Sequence, residues 1–385
     1  MEAPHTEKKL ESISLDEREE LAGRYAHEGI TAALDKIDRT YGRQAEPHNR
    51  LAYHNRDHTE GVLNYVHLIS EAIRKAYRKA GVHVEEREFR NAELQAGFHD
   101  SEQVFRSIWE KGTLVRTRVN NEGEKASTNG AVKFMRDVNT KEGKEVFEER
   151  DIEDARIGIP GTIPIFVNGS VSPTLFESSR EPKPLSAVIL ALADLAVIGM
   201  GTPDAVLKNQ YEIFFEMNPE IADAALHGIN KVRRKQLSSE EIEESRGRRK
   251  ELLTKKYTRI SQELGVKNPL SGQILESEMS LLDTWRNLTP EELKQEQERV
   301  AGLRQAYRAA AIEWMEGQVQ LLKGRKSMVV REVEFLPELA RGPVLKLYKN
   351  INQTEHIVRK NLKLCRTMSF ENLMKHMRPG LSVFE

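Results

Sequence analysis

Histidine and aspartate recur in this chain at three places whose surroundings are apolar. Tyr53-His54-Asn55-Arg56-Asp57-His58 sets two imidazoles four residues apart. The run Ala92-Glu93-Leu94-Gln95-Ala96-Gly97-Phe98 closes on the adjacent pair His99-Asp100. Asp194 stands alone inside Val188-Ile189-Leu190-Ala191-Leu192-Ala193-Asp194-Leu195-Ala196-Val197-Ile198. A lone carboxylate in such a run is costly to bury without a partner. A divalent cation would stabilise it, and the histidines could supply the rest of the ion's shell.

The order His, then His-Asp, then Asp resembles the HD superfamily of metal-dependent phosphohydrolases, over roughly the first half of the chain. His54-Asn55-Arg56-Asp57-His58 is similar to the His-Asn-x-x-His first motif of cyclic nucleotide phosphodiesterases. The resemblance implies His58 as the first metal ligand, with His99, Asp100 and Asp194 completing the shell of one ion. Two imidazoles and two carboxylates suit manganese, iron, zinc or nickel, and magnesium less well. Such an ion lowers the pKa of coordinated water and neutralises charge developing on phosphorus. The resemblance also implies a general acid, His54, that protonates the leaving oxygen; the alternative is a local capping role. His54 and His58 share a helix face if the helix already starts at Tyr53. Adjacent His99 and Asp100 diverge on a regular helix and meet at one ion only near a helix end.

Three departures limit the match. Those phosphodiesterases carry a further histidine after His-Asp, and Ser101-Glu102-Gln103-Val104 holds none, which argues against a second metal. HD-type deoxynucleotide phosphatases carry a catalytic Glu three residues after the Asp. Glu102, two residues after, is the candidate here. Asn121-Glu122, Glu124 and Ser127 loosely resemble an Asn-Glu and Ser-Ala element of other members, where a Glu could orient water; a solvated loop charge is the plainer account. Gly324-Arg325-Lys326-Ser327 lacks P-loop spacing; Arg325, Lys326 and Arg331 could contact phosphates, with a solvated basic face as the default reading.

The elements that must position these residues are helices. Ser14-Leu15-Asp16-Glu17 reads as a capping box opening a helix to about Tyr41. Val62, Val66, Ile69 and Ile73 predict a helix from about Asp57 to Lys79, broken by Gly81. Another helix is expected from about Glu85 to His99, then a charged connector over 101–125, then a helix near Ser127–Asn139. Prolines and glycines between 150 and 184 argue against a long helix there. Alternation around Asn168-Gly169 predicts a small hairpin, either a surface loop or a lid over the site. The Asp194 helix is expected to end at Gly199-Met200-Gly201. Thr202-Pro203, Asn218-Pro219, Ser238-Ser239-Glu240-Glu241 and Thr289-Pro290 each predict a new helix. Val300, Leu303, Tyr307, Ala311, Met315, Val319 and Leu322 form an apolar stripe, and more helix is expected from Val344 to Met377.

These signals predict an all-α fold: an HD-type helical bundle over 14–235, then a C-terminal helical region over 236–385 packed on the first half or on another subunit, as in a homo-oligomer. The 385 residues carry a net charge of -1 with mixed signs, so there is no overall pull to nucleic acid or membrane. Cys365 is the single cysteine, which suits a reducing, cytoplasmic setting. The most apolar run, Leu185 to Met200, is too short to span a bilayer and carries Asp194. The expected activity is metal-dependent hydrolysis of a small phosphorylated substrate, a nucleotide ester or anhydride. The competing class is a metal-containing HD-fold binding or nucleotide-sensing protein whose C-terminal half docks a partner.

Overall fold

Helix α1 (Leu15–Tyr41) starts where the Ser14 hydroxyl accepts the Glu17 N–H at 3.2 Å, satisfying one of the amides that a helix start leaves open. The computed structural model describes residue 10 and residues 13–46, 49–110, 113–119, 121–167, 169–179, 181–229 and 290–384. The described fold is all-α apart from two small antiparallel hairpins. One compact unit joins the chain up to Pro219 with Ala310–Glu385; a second is Glu220–Ala309. The candidate site lies wholly in the first.

Small residues let the helices of that unit approach closely. Ala22, Ala26, Gly29 and Ala33 line the buried face of α1, which packs on α3 (Glu86–Phe98). A Cβ on Gly97 would lie 3.0 Å from Ile30 Cγ1 and 3.2 Å from Ile30 Cα, a contact tight enough that α1 would have to give by a few tenths of an ångström. Helix α2 (Arg56–Ala80) buries Val62, Val66, Ile69 and Ile73 at helical spacing and ends on left-handed Gly81, φ 67°. Helix α7 (Leu185–Asp194) is apolar all round, and Ala187 to Ala193 are fully buried; such a helix belongs at the centre.

Several elements depart from the expectations. The connector over 101–125 contains a hairpin, β1 (Phe105–Glu110) paired with β2 (Thr113–Arg118), and α4 (Glu122–Glu142) begins before Lys125. The β-formers Phe105, Val115 and Thr117 are interleaved with Arg106, Arg116 and Arg118, and that charge masked the strand pattern. A helix of 13 residues, α5 (Glu149–Gly161), occupies the stretch where prolines argued against a long one. Pro160 falls in its last turn, where it helps to end the helix.

The hairpin around Asn168-Gly169 is present as β3 (Pro164–Val167) and β4 (Ser170–Pro173). It is clamped rather than free to close like a lid. Ser170 donates to the Leu321 carbonyl, Ser172 donates to Glu332 at 2.9 Å, and Arg325 donates to the Val171 carbonyl at 3.0 Å. Arg325 is therefore no solvated surface cation: it is fully buried and ion-paired with Glu332.

After α6 (Thr174–Glu177), α7 and α8 (Val197–Met200), Thr202 caps α9 (Pro203–Met217), and Asn218 precedes α10 (Pro219–His227), as their Thr-Pro and Asn-Pro signals predict. The Ser238-Ser239-Glu240-Glu241 signal lies outside the described residues. Helix α11 (Pro290–Leu322) buries Val300, Tyr307, Ala311, Met315, Val319 and Leu322 of the expected stripe. Then come α12 (Arg325–Glu332), α13 (Glu338–Leu345), α14 (Ile351–Cys365) and α15 (Phe370–Met377). Val329, Val333, Leu336, Ala340, Val344, Tyr348 and Ile351 share one core with α2, α3 and α7.

Candidate metal centre

Three helix ends meet at one point. The start of α2 is set by Asn55, whose Oδ1 accepts the Asp57 and His58 N–H groups at 2.9 and 3.4 Å. Its Nδ2 donates to the Leu51 and Ala52 carbonyls at 3.2 and 2.7 Å. The asparagine thus stitches the preceding loop to the first turn and fixes His58 within it. Helix α2 starts at Arg56, not at Tyr53, so His54 lies in the loop and does not share a helix face with His58. Helix α3 stops at Phe98, which lets the adjacent His99 and Asp100 turn to the same point. The His99 Nδ1–H donates to the Ala96 carbonyl at 2.7 Å and leaves Nε2 facing the centre.

Helix α7 ends at Asp194 itself, short of Gly199. Residues from the C-terminal part of the same unit hold that end. The Tyr348 hydroxyl donates to the Leu192 carbonyl at 2.8 Å. Asn350 donates its backbone N–H to the Gly199 carbonyl and its amide to the Met200 and Gly201 carbonyls. These bonds satisfy carbonyls left open at the ends of α7 and α8.

The ligand atoms converge. His58 Nε2 lies 3.1 Å from Asp100 Oδ2 and 3.6 Å from Asp194 Oδ1. His99 Nε2 lies 3.2 Å from Asp100 Oδ2 and 3.5 Å from Asp194 Oδ1. The two Nε2 atoms are 3.4 Å apart. His58, His99 and Asp194 can hold a metal ion, and Asp100 presents its carboxylate to both imidazoles. Burial alone would depress the His58 and His99 pKa values, but the two carboxylates outweigh it and hold both above the ordinary histidine value. Burial would raise Asp100 and Asp194, yet the facing imidazoles hold both carboxyls down. A divalent cation carries the charge of the two protons this arrangement favours, so it can replace them without changing the net charge of the pocket. The donor set therefore fits such an ion.

His54 is buried beside this cluster and held by Glu216 of α9. Its Nδ1–H donates to Glu216 Oε1, and the Tyr53 and His54 backbone N–H groups donate to Oε2 at 2.8 and 3.0 Å. Burial opposes the Glu216 charge, but His54 and these amides outweigh it and hold the carboxyl below its usual value. His54 Nε2 then faces Arg118 of β2, whose Nη1 donates to it at 3.2 Å. Arg118 also pairs with Glu124 at 3.0 Å and approaches Asp100 at 3.5 Å. Gln103 donates to Asp100 Oδ1 at 2.9 Å.

The other sequence candidates fall to either side. Glu102 is ion-paired with Lys36 of α1, and its backbone N–H donates to the Ser127 hydroxyl at 3.0 Å. Glu124 is buried on α4 and bound to Arg118, not a solvated loop charge. Glu216 and Arg118 escaped the sequence reading. A signal for Glu216 existed: Tyr211-Glu212-Ile213-Phe214-Phe215-Glu216 sets two acids among apolar residues, the same cue that marked Asp194. Arg118 carried none, because its strand was unrecognised.

A cavity of about 170 Å³ adjoins the cluster, lined by Tyr53, Asp57, His58, Tyr65, Asp194, Lys208 and Glu212 among others. Burial pushes the Glu212 carboxyl up to about 7 against the pull of Lys208, 3.2 Å away. A larger cavity, about 450 Å³, is lined by His83, Glu88, Arg150, Asp154 and neighbours and includes none of the clustered ligands. No helix among the described residues is long and apolar enough to cross a membrane. No protein-family model, curated protein or solved structure matches the chain.

Proposed function

We propose that the protein is a metal-dependent phosphohydrolase of HD type, acting on a small phosphate ester or anhydride such as a nucleotide. The observation that carries this reading is the convergence of His58, His99, Asp100 and Asp194 at one point, with His54 braced beside it. A divalent ion bound there would polarise the phosphoryl group and lower the pKa of a coordinated water. His58, His99, Asp100 and Asp194 would hold it. His99 is kept in the right tautomer by the Ala96 carbonyl, and Asp100 is oriented by Gln103.

His54 moves the proton. Its Nδ1–H stays with Glu216, so a proton carried on Nε2 can pass to the leaving oxygen, with Glu216 balancing the charge of the imidazolium. The cavity is below the roughly 300–1,000 Å³ of sites that enclose a drug-sized ligand. It is lined by His58 and Asp194 but not by His54 or Arg118, and it would not enclose a whole nucleotide. The test is a screen of purified protein against a nucleotide panel with Mn, Fe, Zn, Ni or Mg added singly. Turnover that depends on one of these metals supports the reading. A tightly bound metal with no turnover of any phosphorylated compound favours the binding or sensing class instead.

A further inference from the structure

Arg118 stands where the proposed chemistry needs a positive charge. The two carboxylates of the cluster, Asp100 and Asp194, would cancel a divalent ion's charge. Glu124, beside them, adds another negative charge. A loaded cluster therefore offers no net attraction to a phosphate dianion. A fixed cation close by would offset Glu124 and aim N–H donors at a phosphoryl oxygen, and Arg118 approaches both a proposed ligand, Asp100, and the proposed acid, His54.

Position supports the same assignment. A leaving oxygen able to take a proton from His54 must sit in front of Nε2, the place that Arg118 Nη1 occupies at 3.2 Å, so protonation of His54 turns that N–H from the imidazole to the incoming oxygen. An oxygen at that point is in contact with the guanidinium. The contacts to His54, Glu124 and Asp100 use three of its five hydrogens, so donors remain for phosphoryl oxygens. The side chain is 26% exposed, whereas its anchor Glu124 is 9% exposed: the guanidinium can be reached, and the carboxylate that aims it is fixed. Arginine's planar fork also matches phosphate geometry better than an ammonium does.

We propose that Arg118 anchors the substrate's phosphoryl group beside His54, with Glu124 as its positioning residue. The β1–β2 hairpin then serves to deliver this arginine. The assignment rests on the phosphohydrolase reading, and the experiment separates the two.

The metal-loaded full-length protein is titrated with inorganic phosphate by calorimetry, alongside Arg118→Gln and Arg118→Lys. Metal content is measured by elemental analysis and folding by circular dichroism. Arg118→Gln should keep its metal and bind phosphate about tenfold or more weakly, the loss expected for a charged hydrogen bond. Arg118→Lys keeps the charge but loses the fork, and should fall between. Equal phosphate affinity in wild type and either variant overturns the role of Arg118 and leaves the phosphohydrolase reading standing. Phosphate affinity lost only in step with metal content overturns it too, because Arg118 would then act by holding Asp100. A wild-type protein that binds metal but no phosphate overturns both.

Discussion

Losing His54 and losing Asp194 should have different consequences, because the proposed mechanism has one move a proton and the other hold an ion. His54→Gln can still donate a hydrogen bond to Glu216, so metal content should stay near wild type while nucleotide turnover falls on the order of a hundredfold or more. Substrates with good leaving groups, such as nitrophenyl phosphate, should suffer less. Asp194→Ala should lose both metal and activity. Elemental analysis paired with initial rates checks this; metal loss in His54→Gln in proportion to activity would make His54 a ligand. At this scale much was legible in the sequence. Asp194 is recognisable because a lone carboxylate in an apolar run needs a partner, His58, His99 and Asp100 are what the resemblance to the HD pattern implies, and here the four meet. Glu216 and Arg118 were not read: the acid's apolar setting shows that it needs a partner but not that the partner is His54, 162 positions away, and Arg118 lies on a strand that its neighbouring charges hid.

The helices and hairpins raise questions of cohesion. The β3–β4 hairpin depends on a buried charge pair, Arg325 with Glu332. Glu332→Ala would strand a guanidinium that is fully buried, and should cost about 3–5 kcal/mol in chemical denaturation. A change within 0.5 kcal/mol would show that the guanidinium finds another partner. A second buried network joins α3 and α5: Arg87 contacts Glu88, Asp151 and Asp154 at 2.7 to 2.9 Å. Burial, with Glu88 and Asp151 nearby, raises the Asp154 carboxyl to about 6 despite Arg87. The unfolded chain releases that proton near 3.8, so between these values the native state holds a proton that the unfolded state has lost. The contribution is fully present below 3.8 and is lost as pH rises through about 6. The melting temperature of Asp154→Asn should therefore gain on wild type from pH 4 to 7; a constant difference would remove the assignment. Helix starts were readable from Ser14 and Thr202, whose side chains cap locally. The β1–β2 hairpin and the burial of Arg325 were not, because charge normally marks a surface and only tertiary pairing reverses that rule.

Across the molecule, the first unit takes its core from both ends of the described chain. Val329, Val333, Leu336, Val344 and Ile351 pack with α2, α3 and α7, and Tyr348 and Asn350 hold the segment around Asp194. A chain ending at Gly228 keeps every proposed ligand yet should be poorly soluble and bind metal weakly. Burying one such aliphatic side chain contributes roughly 1.5–3 kcal/mol, so losing several exceeds the stability of most domains. A truncated protein as soluble and metal-competent as full length would show that the C-terminal residues are an appendage. The apolar stripe of α11 and the helices after it were legible, but their destination was not: amphipathicity shows that a face is covered, not by what. The discontinuous core also bears on synthesis. A ribosome adds roughly 5–20 residues per second, so Asp194 emerges about eight to thirty seconds before Ile351. Throughout that interval the nascent chain carries all four proposed ligands with an unfinished helix end. It must wait, exposed to chaperones and to whatever metal is at hand, before Tyr348 can close the site.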